Sequence, residues 1–290
     1  MFDNIFAAIE KWMRELLTGM VESNMSTMFT DVNEKTSEIA AQVGRTPQNW
    51  NSSVFSMIQN LSESVVVPIA GIIITLVLCY ELISMLTERN NLHDVDTWMF
   101  FKYFVKAWVA IYLVSNTFTI TMAVFDVGQS VVNSASGIIN GETAIDVSSL
   151  SMQMQAAMAT MEIGELVVLA LETFLVSFCM KIMSMVITVI VYGRMIEIYL
   201  YTSLAPIPFA TMSNREWGHV GTNYFRGLFA LAFQAFLMMV CVAIYAALIS
   251  SVRISSNMHS ALIGVAAYTV ILCFSLMKTG SLSKQIFGSH

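Results

Sequence analysis

The chain has 290 residues, of which 56% are apolar and only 12% charged, with a formal net charge of −6; its mean hydropathy is +0.68. Average soluble domains carry about 25% charged residues, so this composition excludes an ordinary water-soluble domain. The acidic balance, with no basic stripe, also excludes a protein that grips nucleic acid through its own charge.

The first predicted element is a helix. Phe2, Ile5, Phe6, Ile9, Trp12, Met13, Leu16, Leu17 and Met20 recur at i, i+3, i+4 spacing, with Glu10, Lys11, Arg14 and Glu15 opposite. Such a helix either packs on its own protein or lies in the membrane interface. It has neither the continuous apolar core nor the small-residue cleavage site of a secretory signal. Polar helices follow, with a break expected at Gly44, where Thr46-Pro47 reads as an N-cap and first-turn pair. Residues 1–64 hold eight acids against four bases.

A bilayer core about 30 Å thick needs about 20 apolar helical residues. Runs at 65–87, 104–125, 166–192, 227–250 and 260–277 meet that standard. A sixth run, 195–212, carries Pro206 and Pro208, which remove helix donors and clash with the preceding turn. A helix unbroken from 166 to 205 would be about 60 Å long, twice the bilayer, so the chain is expected to leave the membrane or turn near Arg194. A re-entrant or interfacial segment ending at the prolines fits, because irregular backbone at depth must be buried in protein or line water.

Loop charges give orientation. The connection 126–161 has no Lys or Arg but holds Asp126, Glu142 and Asp146. Arg89, Lys102 and Lys106 flank the first connection, Arg194, Arg215 and Arg226 surround the proline segment, and Lys278 and Lys284 follow the last span. The 251–259 loop has Arg253 alone. This fits an N-terminus outside, five spans and a cytoplasmic C-terminus. The expected fold is all-α and polytopic: an extracytoplasmic amphipathic region, 1–64, then a membrane domain, 65–290. The 126–161 loop contains the turn-rich SASGIINGET, then a Met-rich amphipathic run at 150–161.

No phosphate-cradling GxxxxGK[ST] loop, HExxH or GxSxG motif is present. His93, His219, His259 and His290 stand apart, in predicted loops or at the terminus, and Cys79, Cys179, Cys241 and Cys273 lie in apolar runs as buried small hydrophobes. No catalytic residue, cofactor site or metal set is therefore expected. Ionisable residues inside spans are more informative, since each costs several kcal/mol unless paired or wetted. Glu172 and Lys181 share the third span but face opposite sides, nine residues apart, so each needs a partner elsewhere. Arg194, Glu197 and Tyr201 share a face at i, i+3, i+7, and the first two are expected to pair. Glu81 lies near the end of the first span, and Lys102 and Lys106 can snorkel. The group reads either as structural interhelix pairs or as a hydrated pathway. Ser260-xxx-Gly264 and Ala243-xxx-Ala247 offer small-residue contacts.

SMIQNLSESVVVPIAG, LCYELISM, VDTWMFFKYF, YGRMIEIYLY and APIPFATMSNREWG, within a five-span chain, resemble the TrbL/VirB-type polytopic membrane component of type IV secretion systems. The version in conjugative elements of Gram-positive bacteria is the nearest in pattern. Ala-Pro-x-Pro-Phe-Ala at 205–210, with Trp217 after it, carries the most specific part of the likeness. The resemblance implies a bacterial cell-membrane channel or scaffold for conjugative DNA transfer, without enzymatic activity. It also implies a homo-oligomer working with cytoplasmic ATPases and a coupling protein, and DNA only as cargo. The proline turn, Pro206, Pro208 and Trp217, becomes a candidate gate, and Glu172, Lys181, Arg194, Glu197 and Glu81 candidate conduit or interhelix residues. A secondary transporter would show paired interrupted helices in two repeated halves; here there is one interruption and no repeat. An ABC-type permease would need a docking helix for its ATPase, and nothing in this sequence announces one. A pure assembly scaffold predicts that every intramembrane charge is satisfied within one subunit.

Overall fold

A computed structural model describes residues 2–87, 97–139, 147–252 and 258–289. Arg89, His93, Glu142, Asp146, Arg253 and His290, and the end of the turn-rich stretch, lie outside them. The described residues form helices and no strand: α1 (Phe2–Val43), α2 (Pro47–Trp50), α3 (Ser52–Leu61), α4 (Val67–Thr87), α5 (Thr97–Ser115), α6 (Thr117–Ile139), α7 (Val147–Met158), α8 (Ile163–Ser203), α9 (Pro206–Thr211), α10 (Gly218–Ser250) and α11 (Met258–Phe287). Five helices are long and apolar enough to cross a membrane: Ser52–Thr87, Thr97–Ser115, Ile163–Ser203, Gly218–Ser250 and Met258–Phe287. The chain is an all-α polytopic membrane protein.

Local chemistry explains the punctuation. Thr46 caps α2 by accepting from the Asn49 N–H at 3.3 Å, with Pro47 in the first turn. Asn51 caps α3 by accepting from Val54 N–H at 3.0 Å. A π-helical turn, Ser62–Val66, joins α3 to α4. It stands just before Pro68, whose ring would crowd an ordinary turn. The apolar run 104–125 is divided at Asn116, whose side chain donates to Tyr112 O at 2.9 Å and competes with the helical ladder. Residues 134–139, read as a flexible turn, continue α6 instead.

The largest departure is α8. It runs unbroken through Arg194 to Ser203, 41 residues or about 60 Å, and the turn expected near Arg194 comes only at Leu204–Ala205. Nothing between 166 and 203 removes a helix donor, and the residue that could loosen it, Gly193, has open space around it. A helix of this length must tilt or project beyond a hydrocarbon layer about 30 Å thick.

The chain divides into two compact units. The first comprises Met1–Val43, Ser134–Val191 and Met238–Lys278. In it α1 runs parallel to α8: Arg14 donates to Met161 O (2.8 Å), Asn24 to Thr173 Oγ1 (3.4 Å) and Lys35 to Thr188 Oγ1 (3.3 Å), while Ser177 Oγ donates to Asn24 O (3.1 Å). Met25, Met28, Leu166, Leu169, Met238 and Leu262 are among its fully buried side chains. The second comprises Gly44–Asn133, Tyr192–Leu237 and Thr279–His290. Its core packs Ala70 and Ile74 of α4, Ala110 and Val114 of α5, Phe209 and Ala210 of α9 and Tyr224 of α10 together.

The small-residue contacts fall elsewhere than expected. Gly264 has nothing within 4 Å, whereas a Cβ on Gly128 of α6 would lie 2.8 Å from Ala232 O of α10. All four cysteines are free, and two of them, Cys79 and Cys179, are exposed rather than buried. They sit on apolar helix faces, where a small hydrophobe suits lipid as well as protein.

Candidate functional site: intramembrane polar groups and the proline turn

In the second unit, Glu81 of α4 and Lys106 of α5 form an ion pair at 2.5 Å, its carboxylate the less exposed partner. Beside it Tyr103 donates to Leu78 O at 3.0 Å. Lys106 is thus held by a carboxylate rather than snorkelling, while Lys102 lies 5.7 Å over the Trp98 ring. Glu197 of α8 is bound by Lys284 of α11 at 3.0 Å.

Arg194 does not pair with Glu197. The guanidinium is buried, its Nη2 donates to Leu231 O of α10 at 3.4 Å, and its Nη1 lies 3.9 Å from Met195 Sδ. Its Nε–H has no partner among the described residues. The expected i, i+3 pair fails because Lys284 reaches Glu197 from another helix, while Arg194 turns toward α10.

In the first unit, Glu172 of α8 meets the Nδ1 of His259 on α11 in a direct contact. Sequence reasoning missed this partner by placing His259 in a loop, whereas it belongs to the first turn of α11. No local signal could have revealed it, because the two residues are 87 positions apart. Lys181 is different. It is exposed, and no ion pair or hydrogen bond to it occurs among the described residues.

The proline turn is built from the backbone out. Pro206 and Pro208 cannot donate to the carbonyls of Thr202 and Leu204, four residues back. Those carbonyls are taken instead by tighter bonds from Ala205 N and Ile207 N, each 3.2 Å. The hydroxyls of Thr202 and Ser203 fold back onto Ile198 O (2.7 Å) and Leu200 O (2.8 Å). α9 then buries Pro206, Phe209 and Ala210 against α4 and α5, which meets the requirement that irregular backbone at membrane depth be enclosed by protein.

A paired aromatic clamp fastens the turn to α10. The rings of Tyr201 and Tyr224 stack at 4.5 Å and 8°. Tyr224 Oη donates to Tyr201 O at 2.7 Å, and Tyr201 Oη returns to Tyr224 O at 3.3 Å. Gly227 is required there, since a Cβ would fall 2.1 Å from Tyr201 Oη. After α9, Asn214 Oδ1 accepts from the N–H groups of Glu216 (2.7 Å) and Trp217 (3.0 Å). This sets Trp217 against Tyr80 at 6.0 Å, while Tyr80 Oη donates to Glu216 at 3.0 Å. The same loop borders a cleft of about 370 Å³ lined by Glu81, Lys102, Lys106, Asn214, Arg215 and Glu216, among others.

The candidate residues thus do not form one site. Glu81, Arg194, Glu197, Pro206, Pro208 and Trp217 belong to the second unit, and Glu172 and Lys181 to the first. Among the described residues no group of three or more His, Cys, Asp or Glu could hold a metal ion.

The profile of the TrbL/VirB6 plasmid conjugal transfer-like protein family matches residues 32–206, from the middle of α1 to the first proline of the turn. Comparison with curated proteins and with solved structures returned no match. A match over more than half of the chain, on a five-span membrane architecture, makes this protein a member of the TrbL/VirB6 plasmid conjugal transfer-like family, a multi-pass membrane component of type IV secretion and conjugal transfer.

Proposed function

We propose that the chain is a channel or scaffold subunit of a conjugative DNA-transfer apparatus, of the kind carried by Gram-positive elements, and has no catalytic activity of its own. Its energy comes from cytoplasmic ATPases and a coupling protein, and DNA passes as cargo without sequence-specific contact. The N-terminus lies outside and the C-terminus in the cytoplasm, as the distribution of Lys and Arg in the short connections favours. Several copies assemble into a ring.

The observation that carries this reading is how the intramembrane charges are disposed. Glu81, Glu172 and Glu197 each have a basic partner within the chain, and Arg194 has a carbonyl. Lys181, exposed and without an ion pair among the described residues, is the exception; the other charges follow the economy of a scaffold rather than that of a substrate path lined with open charges. The proline turn, enclosed by α4 and α5, serves as the fixed joint on which α10 is hung, with Trp217 at its outer edge.

The test is conjugative transfer frequency together with assembly in membranes for Glu172→Ala and Pro206→Ala. Each should lower transfer at least tenfold, Glu172→Ala by stranding His259 and Pro206→Ala by altering the turn. Wild-type transfer and assembly in both variants would remove these residues from the working parts.

A further inference from the structure

The cleft bordered by the loop after α9 holds two cations that pair with no carboxylate among the described residues. Its charged lining is Lys102, Lys106 and Arg215 against Glu81 and Glu216, an excess of one positive charge. Glu81 is bound to Lys106, and Glu216 accepts the Tyr80 hydroxyl at 3.0 Å. Lys102 rests over the Trp98 ring, and Arg215 makes no ion pair or hydrogen bond among the described residues. A free guanidinium and a free ammonium on one cleft of about 370 Å³ suit a small anionic group, since pockets for small ligands hold about 300–1,000 Å³.

The cleft stands where two spans end. Tyr80, Glu81 and Ser84 belong to the last two turns of α4, and Met99, Lys102 and Tyr103 to the first two of α5. All lie within about 11 Å of the helix ends at 1.5 Å per residue. That is the level of lipid headgroups, and Tyr80, Trp98, Tyr103 and Trp217 gather there as interfacial aromatics do. From this mouth two exposed apolar stripes run toward the middle of the spans. Tyr80 continues into Leu76 and Ile72 on one face of α4, and Lys102 into Val105 and Val109 on one face of α5. Charge at the mouth with apolar surface leading away from it is complementary to an amphiphile rather than to a soluble anion. Two free cations also fall short of the basic stripe that duplex DNA needs.

We infer that this cleft binds the phosphate headgroup of an anionic phospholipid. The planar fork of Arg215 takes two phosphate oxygens, and the Lys102 ammonium adds a point charge. The acyl chains lie along the stripes of α4 and α5. Basic pockets between membrane helices hold such headgroups elsewhere. A lipid held this way ties α5 to the loop that carries Trp217, and so braces the outer edge of the proline turn. The site does not depend on the conjugative role, because it rests on the cleft alone.

The experiment uses the full-length protein in phosphatidylcholine vesicles that hold a trace of either phosphatidylglycerol or phosphatidylcholine, each with a photoreactive group near its glycerol. Peptides covering 97–106 and 214–217 should take up the phosphatidylglycerol probe roughly tenfold more than the phosphatidylcholine probe. Lys102→Gln with Arg215→Gln should remove that preference. Lys11→Gln with Arg226→Gln, two exposed cations outside the cleft, should leave it intact. Equal labelling by the two probes in the wild-type protein overturns the proposal whatever the variants do. A preference that survives in the Lys102/Arg215 pair, or is lost equally in the Lys11/Arg226 pair, also overturns it. Excess inorganic phosphate that abolishes the labelling would make the cleft a site for a soluble anion and remove the lipid. So would a photoreactive residue in place of Ser84 that captures a protein instead of lipid in cell membranes.

Discussion

Gly227 and Tyr201 show how a single hydrogen atom in place of a methyl fixes the geometry of the proline turn. A Cβ at Gly227 would meet Tyr201 Oη at 2.1 Å, and the ring cannot retreat without leaving its stack on Tyr224. Gly227→Ala should therefore lower thermal stability in detergent by about 1–3 kcal/mol through overpacking. Tyr224→Phe keeps the stack and loses only the 2.7 Å hydrogen bond to Tyr201 O, so it should cost about 1 kcal/mol. A melting series that reversed this order would show that the hydroxyls, rather than the close approach, hold the turn. The glycine could not have been singled out in the sequence, because a helical glycine announces a close approach only when its neighbour is known.

At the level of the helices, the sequence was most informative where local chemistry decides. Thr46-Pro47 stops and restarts the helix as its residue types require, and the prolines at 206 and 208 end α8. It was least informative where a tertiary partner decides. The chain was expected to leave the membrane or turn near Arg194 because a helix twice the bilayer's thickness was not anticipated, yet α8 continues to Ser203 with Arg194 buried against α10. The expected Arg194–Glu197 pair failed for a similar reason, as Lys284 arrives from α11. Glu81 and Lys106 lock α4 to α5, with side chains 20% and 41% exposed. Partial exposure screens the pair, so their coupling in a double-mutant cycle of Glu81→Gln and Lys106→Met should be about 1 kcal/mol or less. A coupling near zero in detergent melts would leave the α4–α5 contact to apolar packing alone.

For the whole molecule, composition settled membrane residence and the apolar runs located five helices long and apolar enough to span, but neither could bring His259 to Glu172 or α1 alongside α8. Topology remains the expectation drawn from loop charges, and it is directly measurable. With the four native cysteines replaced, Asn4→Cys should react with a membrane-impermeant maleimide in intact cells, and Ser289→Cys only after the membrane is opened. Labelling of Ser289→Cys in intact cells would reverse the orientation. The parallel pairing of α1 with α8 has a further consequence during synthesis. The bonded residues are separated by 147 to 153 positions, so at 5–20 residues per second α1 leaves the ribosome roughly 7–30 s before its partner exists. Through that interval it must be kept from aggregating. The outward stripe of Phe6, Ile9, Trp12 and Leu16, which stays exposed in the finished fold, is the apolar surface that a chaperone or a membrane would have to cover in the meantime.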